Sequence, residues 1–204
     1  MTALLAGELK VEILRVVGSN QLAVRPLHFS HHYQRLQEKL QREGHELKIL
    51  SLPSVNQSCA VLHESCWHRG LVKAIERQTC RVNLVDLGRM ENVCLENLRE
   101  LPEHFLQEHA YCILCHLSGC SNVDGNILET HLGDRKMVRL HRRGAPEMKC
   151  GAWSLPVEIC WEKEIHPDPV GPPEKRTVFL SQQMLHTTRV QAETTLDTTS
   201  SEES

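Results

Sequence analysis

Residues 58–101, SCAVLHESCWHRGLVKAIERQTCRVNLVDLGRMENVCLENLREL, decide the fold. Runs rich in β-branched and aromatic residues recur about every ten residues here, separated by turn signals. They predict four strands, at residues 58–62, 67–75, 80–85 and 90–95. Short strands at this spacing indicate a small barrel or sandwich. We expect Trp67 and Val82 to be buried in it and residues 86–88 to form a turn.

The segment before this stretch predicts a hairpin and a helix. Residues 8–17 and 21–27 have the pattern of two short strands around the turn signal at Gly18. Ser30 can cap a helix that ends near Gly44. The apolar face of this helix is narrow, so we expect it to cover one side of another element; the face consists of Tyr33, Leu36 and Leu40.

The segment after the stretch adds strands and then loses apolar residues. Residues 101–109 indicate a helical turn and residues 111–117 a strand. A strand pair is expected at 154–165 and 176–180, joined by the proline-rich turn 167–173. After about residue 183 the chain is rich in Thr, Ser and Glu, a composition typical of disorder.

Composition sets limits on function. The chain has 204 residues and a net charge of −3, which argues against a strongly phosphate-binding surface. The local exception is the basic run 135–143, RKMVRLHRR, which also fits a solvated strand or loop. No apolar stretch approaches the roughly 20 residues of a membrane span. The N-terminus lacks the basic start of a signal peptide, so we expect a cytoplasmic chain, not a membrane protein, with its nine cysteines as thiols.

The spacing and residue types of several motifs resemble the Tudor domain family. The motifs are Cys66-Trp67-His68-Arg69-Gly70, Leu84-Val85-Asp86-Leu87-Gly88-Arg89, Leu98-Arg99-Glu100-Leu101-Pro102 and Cys112-Ile113-Leu114-Cys115-His116-Leu117. The family pattern is a Trp-Tyr-Arg-Ala strand, an aromatic-Val-Asp-Tyr-Gly-Asn strand and turn, a Leu-Arg-x-Leu-Pro exit and an Ala-x-x-Cys-x-Leu-x-Gly strand. The likeness is strong over residues 58–119 and architectural outside them.

The resemblance implies a mainly β fold with helices. A five-stranded Tudor barrel core, residues 58–101, is expected inside a split nuclease-like (OB-type) β subdomain made of residues 8–50 and 120–185. Residues 1–185 then form one extended Tudor module, and residues 186–204 a disordered tail. The N-terminal hairpin and the strand at 154–165 are expected to share one sheet.

The resemblance also implies a ligand site, which this chain has altered. The family holds symmetric dimethylarginine between aromatic side chains, a cation–π contact, and orients it with an asparagine. The aromatic positions correspond to Leu62, His68, Leu84 and Leu87, and the asparagine position to Arg89. We expect the side chains of Leu62, His68, Leu84 and Leu87 to converge at one end of the barrel.

Leucine has no π-face, and Arg89 would place a like charge beside an incoming cation. Three interpretations stay open: a filled apolar barrel end without a ligand, an altered pocket for an apolar or unmethylated segment, and a methylarginine site rescued by Trp67 or His68. Should methylarginine bind, Trp67, Phe105 and Tyr111 are the aromatic residues to examine.

Metal, haem and catalytic motifs give no strong signal, so we predict no cofactor, no metal site and no enzyme. Cys112 to His116 match a haem-attachment sequence, but on a strand Cys112 and Cys115 point to opposite faces. Carboxylates for phosphodiester hydrolysis are expected to cluster with arginine. The nearby set is Asp124, Asp134 and Arg135 in a loop.

Two functional hypotheses follow. The first is a scaffold or adaptor that binds a protein segment between the barrel and the nuclease-like subdomain or pairs with another Tudor protein. The resemblance implies germ granules, small-RNA (piRNA) silencing during gametogenesis and Piwi-class Argonaute or other germ-granule proteins as its setting. The second is an RNA-associated module that uses the basic run 135–143.

Overall fold

The computed structural model describes residues 8–18, 20–119, 125–134, 136–149, 152–165, 174–182 and 184. The chain divides into two compact units. The central unit is Ala23–Leu114, and the terminal unit combines Met1–Leu22 with Cys115–Ser204. The predicted proline-rich turn at 167–173 and the predicted disordered tail at 186–204 lie outside the described residues.

Twelve strands and three helices have described bounds, and residues 180–182 and 184 are also helical. The strands are β1 Glu8–Val16, β2 Gln21–Pro26, β3 Ser58–His63, β4 Cys66–Ile75, β5 Thr79–Leu84, β6 Arg89–Cys94, β7 Leu98–Glu100, β8 Ile113–Leu117, β9 Met137–Arg142, β10 Glu147–Lys149, β11 Ala152–Ile165 and β12 Glu174–Phe179. The helices are α1 Ser30–Glu43, α2 Glu103–Leu106 and α3 Gly125–Leu132. Short 3-10 turns occur at Leu27–Phe29 and Leu95–Asn97. In the described part of the chain, no helix is both long enough and apolar enough to cross a membrane.

The central unit contains the predicted five-stranded barrel, in the order β6-β5-β4-β3-β7. Its interior is apolar because every second residue of each strand faces inward, and the buried core includes Val61, Val72, Val82 and Val93. Gly70 is required on this face, because a Cβ there would lie 2.5 Å from a methyl group of Val82. The barrel, the burial of Val82 and the turn at residues 86–88 are confirmed.

Trp67 is buried as predicted, with 1% of its surface exposed, but it lies outside the barrel interior. Its ring packs between the sheet and α1, against Leu36, Leu40 and Phe105. Gly44 follows the helix at the ring, where an added Cβ would lie 2.3 Å from Trp67 Cγ. The last turn of α1 therefore sits directly on the tryptophan, and the structure groups α1 with the barrel.

The predicted cap of α1 is wrong. Ser30 has helical angles and is the first residue of the helix, while Phe29 precedes it without a side-chain cap hydrogen bond. The 3-10 turn Leu27–Phe29 runs directly into the helix. Ser30 is therefore already inside a continuous helical segment, where an N-cap has no place.

The terminal unit is built on a second sheet, in the order β10-β11-β8-β2-β1-β9, with β12 also on β11. A further pairing between β11 and β9 joins the ends of the five-strand series β11-β8-β2-β1-β9. β2 and β8 carry the chain between the two units. β1 and β2 share a sheet with β11, as predicted, although more than a hundred residues separate them.

Candidate binding site at the barrel mouth

One end of the barrel carries the two turns that join β3 to β4 and β5 to β6. Since the β4–β5 turn lies at the other end, both hairpin tips meet here. We call this end the mouth. Its residues are His63, Glu64, His68, Leu84, Leu87, Arg89 and Glu91. None of them is Phe, Tyr or Trp.

The β3–β4 turn is unusually tight for its sequence. His63 pairs with Cys66, which leaves a two-residue loop of Glu64 (φ 50°) and Ser65 (φ 64°). Both residues are left-handed, a conformation that hairpin loops of this kind usually give to Asn and Gly. Strain of this sort persists where the surrounding structure enforces it, and here it brings Glu64 within 3.3 Å of Arg89.

β6 supplies a charged pair to the mouth. Arg89 and Glu91 are half-buried and alternate with the exposed residues Met90 and Asn92. Arg89 donates from Nε to the Glu91 carboxylate and from Nη2 to Glu64. The same Nη2 lies 3.0 Å from His63 Nε2. The hydrogen bond to Glu91 raises the already high pKa of Arg89, so its guanidinium is a permanent cation.

His68 lies on the inner side of β4, directly opposite Val61, and is half-buried. Burial lowers the pKa of His68 from its ordinary value of 6.5, and the neighbouring His63 and Arg89 lower it further, while Asp86 and Glu64 oppose this shift. The ring is therefore neutral near neutral pH. A neutral imidazole is a poorer partner for a cation than the tyrosine of the family pattern.

The two leucines close the barrel beneath these polar groups. Leu84 is fully buried in the barrel core, and the partly buried Leu87 packs against the same core. Gly70, whose missing side chain admits Val82 and Val61, pairs with Leu84 on the neighbouring strand. The floor of the mouth is thus filled by apolar side chains.

Leu62 is not at the mouth, contrary to expectation. It pairs with Trp67 across β3 and β4 and packs with Trp67 against the α1 side of the sheet. The two-residue turn fixes this register, and a shift of one residue moves a side chain to the other face of a strand. The residue at this end of β3 that contacts Arg89 is His63. The structure therefore brings together four of the five predicted residues. It also places His63, Glu64 and Glu91 with them.

A buried ion pair anchors the β5–β6 turn. Arg69 Nη2 and Nε donate to Oδ1 and Oδ2 of Asp86 at 2.7 and 2.9 Å, and both side chains are almost fully buried. Arg69 also donates to the backbone oxygens of Phe105, Glu108 and His109. Sequence reasoning gave this pair no role. A signal was available, because Arg69 shares a strand face with Trp67 and a buried charge requires a partner.

The aromatic residues of this unit lie on the outer side of the barrel. Trp67, Phe105 and Tyr111 are each 1% exposed, so none offers a face to a ligand. The cation–π contacts in the described part of the central unit are internal, and the shortest places Arg25 3.6 Å from the ring centroid of Tyr33. The aromatic residues considered for a surviving methylarginine site are therefore occupied in packing.

The basic run 135–143 lies largely on β9, and Arg135 is outside the described residues. Arg139 forms ion pairs with Glu8 at 3.1 Å and Glu162 at 3.5 Å, and Arg142 donates to the backbone oxygen of Gly144. The charge of Arg139 is therefore matched within the protein, and the Arg142 guanidinium is engaged with a backbone oxygen. This weakens the hypothesis of an RNA-associated module, which needs cations available to phosphates.

A hydroxyl, an imidazole and a carboxylate meet in the terminal unit. Ser154 Oγ lies 3.0 Å from His116 Nδ1, and His116 Nε2 lies 2.6 Å from Glu147. Hydrolases use such a triad, but Ser154 is 1% exposed and cannot meet a substrate. Among the described residues, no group of three or more His, Cys, Asp or Glu is arranged to hold a metal ion. Asp124 and Arg135 of the set considered for hydrolysis lie outside the described residues.

Comparison with known proteins gives a family match and several solved structures. Residues 5–119 match the family described as Tudor domain. The human TDRD1 extended Tudor domain, in complex with a symmetrically dimethylated peptide, is 18% identical with a TM-score of 0.70, over 88% of this chain and 87% of that one. The extended Tudor domain TD3 from mouse TDRD1, in complex with a MILI peptide containing dimethylarginine 45, is 15% identical with a TM-score of 0.68, over 89% and 91%.

A larger relative is extended-Tudor 10-11 of Drosophila melanogaster, 16% identical with a TM-score of 0.64. It matches over 74% of this chain, which spans 43% of that structure. No protein with a curated description matches the chain. At these identities the structural likeness concerns the fold.

Proposed function

This chain belongs to the Tudor domain family and has the extended Tudor fold, and we propose that it is a protein-interaction module that binds its partner without reading symmetric dimethylarginine. The human and mouse TDRD1 relatives described above were solved with peptide ligands, which supports a protein partner. The observation that carries the proposal is the content of the mouth, where Arg89, Glu91 and His63 stand in place of aromatic faces.

Methylarginine readers gain selectivity from ring faces. A ring face contributes on the order of 0.5–2 kcal/mol to a bound cation. In this chain the corresponding positions carry Leu84, Leu87 and a half-buried neutral His68, and a permanent guanidinium already stands at the asparagine position. A second cation entering beside Arg89 meets a like charge. The mouth therefore lacks the means to prefer the methylated form.

The proposed partner class rests on the family resemblance. We propose a Piwi-class Argonaute or another germ-granule protein, in the cytoplasm, with the chain acting as an adaptor and not as an enzyme. The family resemblance supports this setting, and the mouse relative bound to a MILI peptide is in keeping with it.

The test is isothermal titration of the full chain with an arginine–glycine peptide, symmetrically dimethylated or unmethylated. We expect no preference for the methylated peptide. A tenfold preference requires about 1.4 kcal/mol and would overturn the proposal. The matched positive control is the graft His63→Phe, His68→Tyr, Leu87→Tyr and Arg89→Asn, which restores rings and the asparagine while leaving the buried Leu84 in place. Circular dichroism checks that the graft is folded.

A further inference from the structure

The hairpin formed by β10 and β11 carries an exposed apolar pair. Trp153 is 67% exposed and Met148 is 56% exposed, and the two residues lie directly opposite each other on the neighbouring strands. Trp153 is also the one aromatic residue among the large hydrophobic residues that are exposed in the described part of the chain. Aromatic residues and methionine are enriched at protein interfaces relative to the remaining surface. The pair therefore indicates a contact with a partner.

The same hairpin has a free edge. β10 lies at the edge of its sheet: it pairs with β11, and in the described part of the chain no other strand pairs with it. Its three residues, Glu147, Met148 and Lys149, are all exposed. Backbone N–H and C=O groups along an edge of this kind are available to a strand of another molecule. Met148 thus lies where an added strand would pass.

Buried polar contacts hold this edge in place. His116 of β8 is buried, and its Nε2 lies 2.6 Å from Oε1 of Glu147 on β10. Its Nδ1 lies 3.0 Å from Oγ of Ser154, which is opposite Glu147 on β11. The imidazole therefore ties both strands of the hairpin to β8. An edge that is already fixed loses less conformational freedom when it binds.

The charges of β10 fit a second copy of the same strand, whose sequence is Glu147-Met148-Lys149. When two copies pair antiparallel about a two-fold axis at Met148, Glu147 of each copy lies opposite Lys149 of the other. Both cross-strand pairs then join opposite charges, which stabilises antiparallel strands. The side chains of Glu147 and Lys149 are 51% and 47% exposed, so both can be reached by another chain.

The apolar pair continues across the same axis. Since Met148 lies opposite Trp153 within one copy, the joined sheet has a row of apolar side chains in the order Trp153, Met148, Met148, Trp153. Methionine sulfur also makes favourable contacts with aromatic rings. Each copy contributes a strand of only three residues, so the contact is smaller than a standard interface. The association is therefore weak and depends on protein concentration.

We propose that β10 is a self-association edge, through which two copies of this chain join their terminal-unit sheets in an antiparallel pair centred on Met148. The inference uses residues of the terminal unit alone and goes beyond the proposed function, which concerns the mouth in the central unit. Where a partner carries repeated binding segments, two joined copies bind it with increased avidity.

The test is sedimentation equilibrium of the full chain over a range of protein concentrations, with two single variants. Lys149→Glu brings carboxylates opposite each other at both cross-strand pairs, and Glu147→Lys brings ammonium groups opposite each other. We expect the wild type to self-associate and each variant to do so about tenfold more weakly. An equimolar mixture of the two variants should associate more strongly than either variant alone, because carboxylates then face ammonium groups at both pairs.

Two matched variants control for changes of charge and shape elsewhere. Lys163→Glu makes the same charge change on an exposed residue of β11, in the part that pairs with β12, and should leave the association unchanged. Met148→Ser should weaken the association. Met137→Ser, at a residue of β9 that is 67% exposed, should not.

A further variant separates like-charge repulsion from loss of the His116 contact. Glu147→Gln removes the ion pair with His116 without adding a like charge, so it should associate more tightly than Glu147→Lys. Circular dichroism checks that each variant is folded. If Glu147→Lys does not fold, the comparison of Lys149→Glu with Lys163→Glu decides, because neither residue contacts His116.

Three results overturn the inference. They are a wild-type chain that stays monomeric at every concentration reached, an equal loss of association in Lys163→Glu and Lys149→Glu, and a mixture of folded variants that associates no better than either alone. The proposed function fails on a different measurement, a preference of the wild-type chain for the methylated peptide.

Discussion

On the outer face of β4, Trp67 and Arg69 are buried under α1 and the segment 105–109, whereas on the inner face His68 lies at a mouth closed by Arg89 and Glu91. The outer residues keep the family pattern and are held by packing and a buried ion pair. The inner ones depart from it at the positions that would touch a ligand. The scaffold and the candidate ligand site are thus separable on one strand, because neighbouring residues of a strand point to opposite faces.

The largest expected effect comes from breaking the outer face. In Arg69→Leu, Asp86 loses both guanidinium bonds and stays buried beside the backbone N–H of Tyr111. Removal of one partner of a buried ion pair costs about 3–5 kcal/mol. We expect a loss of that size in the free energy of unfolding, measured with urea on the full chain.

The matched control for Arg69 is Arg89→Leu at the mouth. Its carboxylate partners, Glu64 and Glu91, are both reached by solvent, and partly exposed pairs contribute about 0–1 kcal/mol. Equal losses in the two variants would contradict the distinction between scaffold and site. A reversed order would mean that Arg89, and not Arg69, holds the turn at residues 86–88 in place.

A smaller effect is expected where α1 meets the outer face. Gly44→Ala places a Cβ 2.3 Å from Trp67 Cγ, so the helix end or the indole must move. Overpacking of this kind costs about 1–3 kcal/mol. Urea unfolding measures the loss, with Arg35→Ala on the exposed side of α1 as the control. An unchanged free energy in Gly44→Ala would show that α1 is not fixed on the tryptophan.

The same contrast explains what could be predicted from the sequence. Four of the five strands at residues 58–101 follow local alternation and turn signals, and their ends were predicted to within one residue. No bounds were predicted for the fifth strand, β7. The contact of Trp67 with α1 depends on a helix more than twenty residues away, and local pattern does not report it. α3 and β10 were not predicted. β9 lies in a basic run, and its Arg139 pairs with Glu8 and Glu162, which are far away in sequence.

The candidate site at the mouth was predicted less well, because the register of β3 at its end was not foreseen. The pattern placed Leu62 at the mouth, but the Glu64-Ser65 loop is a two-residue turn without the usual Asn or Gly. A sequence that lacks this signal does not reveal how short the loop is. A shift of one residue in the register of β3 places His63 at the mouth instead of Leu62. Prediction from strand spacing therefore held at the β5–β6 turn and failed at the β3–β4 turn, whose loop length the sequence does not report.

The smallest effect, and the one most specific to the inner face, is the pH dependence that His68 adds to stability. In the folded chain burial, together with His63 and Arg89, lowers the pKa of His68 below 6.5. The unfolded chain takes up a proton on this residue near the ordinary pKa, while the folded chain does so at lower pH. Between the folded and unfolded pKa values of His68 the unfolded state binds more protons, so stability falls as the pH is lowered through this range and is unaffected above it.

In His68→Gln this contribution is absent. We expect the variant to lose less stability than wild type between about pH 7.5 and about pH 5.5 in urea unfolding, with the two pH profiles parallel at higher pH. Glu46→Gln, on an exposed turn of the same unit, controls for a change in total charge. If the pH profiles of wild type and His68→Gln were parallel over the whole range, His68 would be exposed to solvent and the mouth would not be closed around it.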